Sequence, residues 1–182
     1  MHDNGNNIEL SVITPSLDDR TALAALFESI AAQIMISFEL IVSDGGSSDG
    51  TCEAAVELAD RYAIPVTMVT GCKGRGLQLN AGAAASRGEY LLFLHADSRF
   101  EDQLALRKGV DRLAGSRGEA VAAKFSLRFD RASTSPSLAF CFYESKARLL
   151  RPECTHGDQG SMMHRATFSK FGPFEEFPQM LA

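Results

Sequence analysis

No stretch of the chain reaches the roughly 18 uninterrupted apolar residues of a membrane-spanning helix. The polar segment Met1 to Asn7 lacks the charged-then-apolar order of a secretory signal, so the sequence reads as soluble and cytoplasmic. Basic residues are in deficit: 18 Lys and Arg stand against 23 Asp and Glu, a formal charge of −5. A general nucleic-acid binder needs a surplus of cations on one face, and this balance argues against one. The four cysteines, Cys52, Cys72, Cys141 and Cys154, form no Cys-x-x-Cys pair. Neither a disulfide framework nor a zinc cluster is indicated, and the thiols are expected to be small buried side chains. There is no internal repeat and no low-complexity linker. What remains is globular composition, 45% hydrophobic and 23% charged, over 182 residues that suit one domain, 1–182.

The hydrophobic pattern alternates between short β-rich runs and longer helical ones. Ile8 to Thr14 alternates and is β-branched, which predicts a strand. Pro15 to Asp19 then turns the chain and offers caps for a helix over about Arg20 to Gln33. A second strand over Phe38 to Ser43 precedes a helix ending near Tyr62, and a third over Val66 to Thr70 precedes a helix over Leu77 to Ser86. Gly88 is placed as that helix's C-cap. Tyr90 to His95 is apolar almost throughout, as in a strand covered on both faces. Repeated strand–helix units imply an α/β fold with a mainly parallel sheet flanked by helices. Further on, helices are expected over Glu101 to Ala114, Ser137 to Leu150 and Ala166 to Phe171, with strands over Ala120 to Phe129 and Ser161 to His164.

In open parallel sheets, ligands bind beyond the carboxyl ends of the strands. Three early strands end in Thr14-Pro15-Ser16, Asp44-Gly45-Gly46 and His95-Ala96-Asp97. Asp97 also suits a helix N-cap, and Asp44 a turn beside two glycines; their joint placement on one rim favours a site. The loop Gly71 to Gly76 sets Lys73 and Arg75 among three glycines ahead of a helix, which suits a diphosphate. It matches neither the P-loop nor the dinucleotide fingerprint. Asp44 to Asp49 fails as a calcium loop because Ala55 stands where an EF-hand needs Glu. Together these residues describe a pocket for a nucleotide diphosphate and a cation. Asp44 would meet base or ribose, Arg75 the phosphates, and Asp97 would hold Mg2+ or Mn2+.

Residues 11–19 (SVITPSLDD), 39–51 (ELIVSDGGSSDGT), 74–82 (GRGLQLNAG) and 90–98 (YLLFLHADS) resemble family 2 glycosyltransferases of the GT-A fold. The FLHAD form, with Gly157-Asp158-Gln159-Gly160, resembles a bacterial subgroup associated with selenoprotein or radical-enzyme gene neighbourhoods. The resemblance runs from about Ile8 to Met180. It implies a nucleotide-binding half over about 8–100 and an acceptor-side half over about 101–182. Thr14, Pro15 and Ser16 match the end of the strand lining the base pocket. Asp44 matches the acid that contacts the base, Arg75 the cation near the base and diphosphate, and Asn80 a polar position on the helix behind the pocket. Asp97 is the one acid retained at the D-x-D position. A divalent cation, a nucleotide diphosphate sugar and a hydroxyl acceptor are implied, and peripheral membrane contact is left open.

Relatives continue after a stretch like Gly172 to Pro178 into a Met-Glu-Asp step whose acid is the general base of an inverting transfer. Here Met180 is followed by Leu181 and Ala182, and the matching acid is absent. Asp158, Glu175 and Glu176 are the nearby candidates, with no catalytic residue assigned. The sequence therefore reads as a shortened glycosyltransferase, or as a nucleotide-sugar binding module with impaired catalysis. Its end is expected to be loosely held, with Phe174 and Phe177 partly exposed.

Overall fold

A computed structural model describes residues 8–116, 121–126, 128, 144–146 and 159–176. In chain order the elements are β1 (Leu10–Ser16), α1 (Arg20–Ala31), β2 (Phe38–Asp44), α2 (Thr51–Tyr62), β3 (Val66–Thr70), α3 (Arg75–Ala85), β4 (Tyr90–Phe93), α4 (Ala105–Ala114), β5 (Ala122–Lys124), β6 (Ser161–His164) and α5 (Arg165–Phe171). Six strands form one sheet in the order β3-β2-β1-β4-β6-β5. The first four are parallel, whereas β6 runs antiparallel to β4, and β5 to β6. The α/β architecture and mostly parallel sheet are those expected.

Side chains alternate across the sheet and build two cores. Leu10, Val12, Leu40, Val42 and Leu92 meet α1 through Leu23, Leu26, Phe27 and Ile30, α2 through Ala55 and Leu58, and α4 through Leu106 and Val110. Ile13, Ile41, Leu91 and Phe93 face α3, which contributes Leu79 and Ala83. Helix α3 lies close to the sheet because a Cβ at Gly82 would come within 2.5 Å of the Ile13 side chain.

Several boundaries differ from the sequence pattern. Helix α3 starts at Arg75, two residues early, because Gly74 takes φ 151 and its carbonyl accepts the Gln78 N–H at 2.9 Å. That backbone suits glycine. The same helix ends at Ala85 with Ser86 as C-cap, so Gly88 is not its cap. Instead Gly88 lies against β1: its N–H donates to Ser11 Oγ at 2.8 Å, and a Cβ there would come within 2.5 Å of the Ser11 nitrogen. Helix α1 is capped from another loop, with Asp49 Oδ2 accepting the Arg20 N–H at 3.2 Å. Strand β4 ends at Phe93, not His95, and α4 begins at Ala105, not Glu101. Strand β5 covers only Ala122–Lys124, and of the expected helix at 137–150 only 144–146 are described, as helix.

At the amino edge of the sheet, the buried Glu39 carboxylate accepts from Ser11 Oγ at 2.7 Å and from the Arg87 N–H at 2.6 Å, and pairs with the Arg87 guanidinium at 2.8 Å. Burial alone would raise its pKa, but the Ser11 hydroxyl and the Arg87 backbone and side chain together hold it below the usual value. A lowered folded pKa adds stability above the unfolded carboxylate range and loses it as pH falls through the folded value. Glu39→Gln is therefore expected to lower Tm at neutral pH, and its deficit against the wild type should shrink as pH drops below about 4. Melting curves over a pH series check this; a constant deficit would contradict it.

Candidate functional site

The carboxyl ends of β1, β2 and β3 are stitched into one rim. Gly45 N–H donates to the Ser16 carbonyl at 2.9 Å, and Gly71 N–H to the Asp44 carbonyl at 2.9 Å. From α3, the buried Gln78 amide donates to the Ser16 carbonyl at 2.7 Å and the Ser43 carbonyl at 2.8 Å. Gly45 makes room for that amide, since a Cβ there would lie 3.0 Å from Gln78 Nε2. Sequence reasoning missed Gln78. Its signal was a polar residue on the apolar face of α3, four positions before Gly82.

Asp44, 1% exposed, is the hub of the β2–α2 turn. Its Oδ2 accepts the Gly46 N–H at 2.8 Å and the Ser47 N–H at 3.0 Å, while Oδ1 accepts the Ser47 hydroxyl. Burial pushes its pKa up, but the Ser47 hydroxyl, these two N–H groups and the Cys52 thiol more than offset that and hold it low. The converse holds for Cys52, whose thiol is raised by burial and by the Asp44 charge, so it stays a protonated donor. The turn-forming reading of Asp44 is thus real: its four donors match the roughly four acceptor sites of a carboxylate, so a ligand bonding to it would replace one of them.

Thr14 and Ser16 are buried, and neither hydroxyl oxygen has a hydrogen-bond partner among the described residues. Pro15 between them is half-buried. Lys73 and Arg75 are exposed at the start of α3, where unpaired N–H groups and the helix dipole favour an anion. Asp97 is also exposed, in the turn after β4 where Ser98 N–H donates to the His95 carbonyl at 3.2 Å. It does not cap α4, which starts eight residues later; Asp102 instead accepts the Leu104 N–H there at 2.9 Å. The alternative of a helix cap for Asp97 is thereby corrected.

Asn80, placed by sequence behind the pocket, directs its amide to Phe174 and Glu176. Phe174 is partly exposed, as expected, yet it is held: its ring packs on Phe93 at 4.8 Å and Phe168 at 5.7 Å between centroids. Glu175 and Glu176 are exposed, while Asp158 and Phe177 lie outside the described residues. The expectation of buried thiols fails at Cys72, which is exposed, and Cys52 is half-buried; Cys141 and Cys154 lie outside the described residues.

Residues 11–172 match the sequence profile of glycosyl transferase family 2. The chain belongs to that family. Among family 2 relatives, an uncharacterized glycosyltransferase of Haemophilus influenzae is 34% identical over 93 residues, covering 50% of this chain and 30% of its own. The human dolichyl-phosphate beta-glucosyltransferase is 28% identical over 118 residues, 58% of this chain and 36% of its own. The matches thus span about a third of these relatives' lengths. In three dimensions, the mannosyltransferase PcManGT from Pyrobaculum calidifontis, solved with GDP-Man and Mn2+, superposes with a TM-score of 0.73 over 96% of this chain and 50% of that one, at 21% identity. This family 2 chain therefore has the GT-A fold. No helix among its described residues is long and apolar enough to cross a membrane.

Proposed function

We propose that this chain binds a nucleotide diphosphate sugar at the carboxyl rim of β1, β2 and β4 and, as part of a family 2 enzyme, moves the sugar to a hydroxyl acceptor. The observation that carries the reading is the rim itself: buried Asp44 and the orphaned Thr14 and Ser16 hydroxyls lie at one sheet edge, with exposed Arg75 and Asp97 on the elements that end or begin there. Base and ribose would lie against Thr14, Pro15, Ser16 and Asp44. A ligand satisfying the two hydroxyls would recover part of their burial cost, about 1–3 kcal/mol each. Lys73 and Arg75 would take the diphosphate.

The described residues hold no cluster of three His, Cys, Asp or Glu side chains that would bind a cation unaided. One exposed carboxylate fits a different mode. Mg2+ is commonly held by one or two carboxylates plus substrate phosphates and water, so Asp97 with a diphosphate is a sufficient set. Bound there, Mg2+ or Mn2+ would neutralise charge on the departing diphosphate. Transfer with inversion would need a base beside the acceptor hydroxyl, and of the three candidates Asp158, Glu175 and Glu176, the last two are among the described residues.

UDP or GDP with Mn2+ is expected to raise Tm, by up to about 2.7 kcal/mol of stabilisation at a hundredfold excess over Kd. Asp97→Asn should lose the Mn2+-dependent part of that rise and keep the fold. The reading fails if neither nucleotide moves the melting curve at millimolar concentration. Binding without sugar release to any hydroxyl acceptor would instead favour the binding-module reading.

A further inference from the structure

Three features converge where the segment Phe174 to Glu176 crosses α3. The Asn80 side-chain amide pairs with both backbone groups of Phe174: Oδ1 accepts its N–H at 2.8 Å, and Nδ2 donates to its carbonyl at 2.9 Å. Nδ2 also donates to the Glu176 carboxylate, Oε1, at 3.1 Å. One helical turn earlier, Gly76 lies so close that a Cβ would collide with the Glu175 carbonyl oxygen. On the sheet side, the Phe174 ring sits against Phe93 and Phe168.

We propose that Asn80 is a positioning residue, whose amide latches Phe174–Glu176 onto α3 and sets the Glu175–Glu176 pair beside the helix that begins at Arg75. A primary amide is suited to this because it donates and accepts in one plane, as a neighbouring strand would. Aspartate could accept the Phe174 N–H but could not donate, and its charge would oppose Glu176. The bearing on sugar transfer rests on the donor-site reading above: an acid serving the acceptor must be held to within about 0.5 Å, and Asn80 holds the backbone on one side of the pair and a carboxylate within it. In this assignment Asn80 does not bind the donor.

Hydrogen exchange on the full chain tests it. In Asn80→Ala the Phe174 amide is expected to exchange at least about tenfold faster, with β1 amides unchanged. Asn80→Asp, which keeps the acceptor, should fall between wild type and alanine. Gly76→Ala should release the same amide with Asn80 intact. Affinity for UDP or GDP with Mn2+, measured by calorimetry, should stay within about threefold in Asn80→Ala. Unchanged exchange at Phe174 in both Asn80→Ala and Gly76→Ala would overturn the latch. So would a tenfold loss of nucleotide affinity in Asn80→Ala with Phe174 still protected, since Asn80 would then be a donor ligand. If the wild type binds neither nucleotide, the donor-site reading fails, and the exchange rates still decide the latch.

Discussion

Arg75→Ala is expected to weaken UDP or GDP binding by roughly tenfold to a hundredfold, while uridine or guanosine binding changes by no more than about twofold. A charge-assisted hydrogen bond to phosphate is worth about 1.5–3 kcal/mol, and a nucleoside has no phosphate to lose. The fold should be indifferent to the change. Arg75 is exposed in the first turn of α3, between Gly74 and Gly76, and its side chain is outside both cores. Lys73, equally exposed in the loop before the helix, offers a flexible point charge in place of a planar fork, so Lys73→Ala should cost less. Calorimetric titration of the four ligands separates the outcomes. Equal weakening of nucleotide and nucleoside would move Arg75 to the base, and no weakening of either would remove it from the site.

The second large effect is on stability. Gln78→Leu is expected to cost about 2–3 kcal/mol, because one buried amide serves the carbonyls of Ser16 and Ser43 and leucine serves neither. For a chain of this length that is a fall in Tm of roughly 5–10 °C. The Ser16 carbonyl keeps the Gly45 N–H, so the loss stops short of two fully orphaned acceptors. Gln78→Glu should be worse, since a carboxylate would face two carbonyl oxygens in a buried place. Urea unfolding of the three proteins measures the cost. A Leu variant within about 0.5 kcal/mol of wild type would mean that the rim is held by backbone bonds alone.

Much of the fold could be read locally. Strands β3 and β6 lie where the sequence placed them, Val66–Thr70 and Ser161–His164. Helices α1 and α2 follow an apolar stripe that their buried residues confirm. Periodicity succeeds here because burial on one face imposes a repeat on the residues themselves. Helix ends were less legible. Gly88 looked like a cap because glycine after a helix usually is one, yet its purpose is close approach to β1, which no local pattern encodes. Asp97 looked able to cap because the start of α4 was set too early; the cap-like role went to Asp102.

The rim shows the same division. Asp44, Arg75 and Asp97 were nameable from sequence because charged residues at strand ends and in glycine-rich loops have little packing use. Gln78 and the partners of Asn80 were not. The Asn80–Phe174 bonds span 94 positions, and the Gln78–Ser16 bond spans 62. Composition, patterning and motifs therefore determined the α/β class, the strand order along the chain and the family, since those follow from short-range periodicity and contiguous residues. Tertiary structure alone decided which polar side chains hold the rim and where Glu175 and Glu176 stand, because a hydrogen bond between distant residues exists only once the sheet has brought them within about 3 Å.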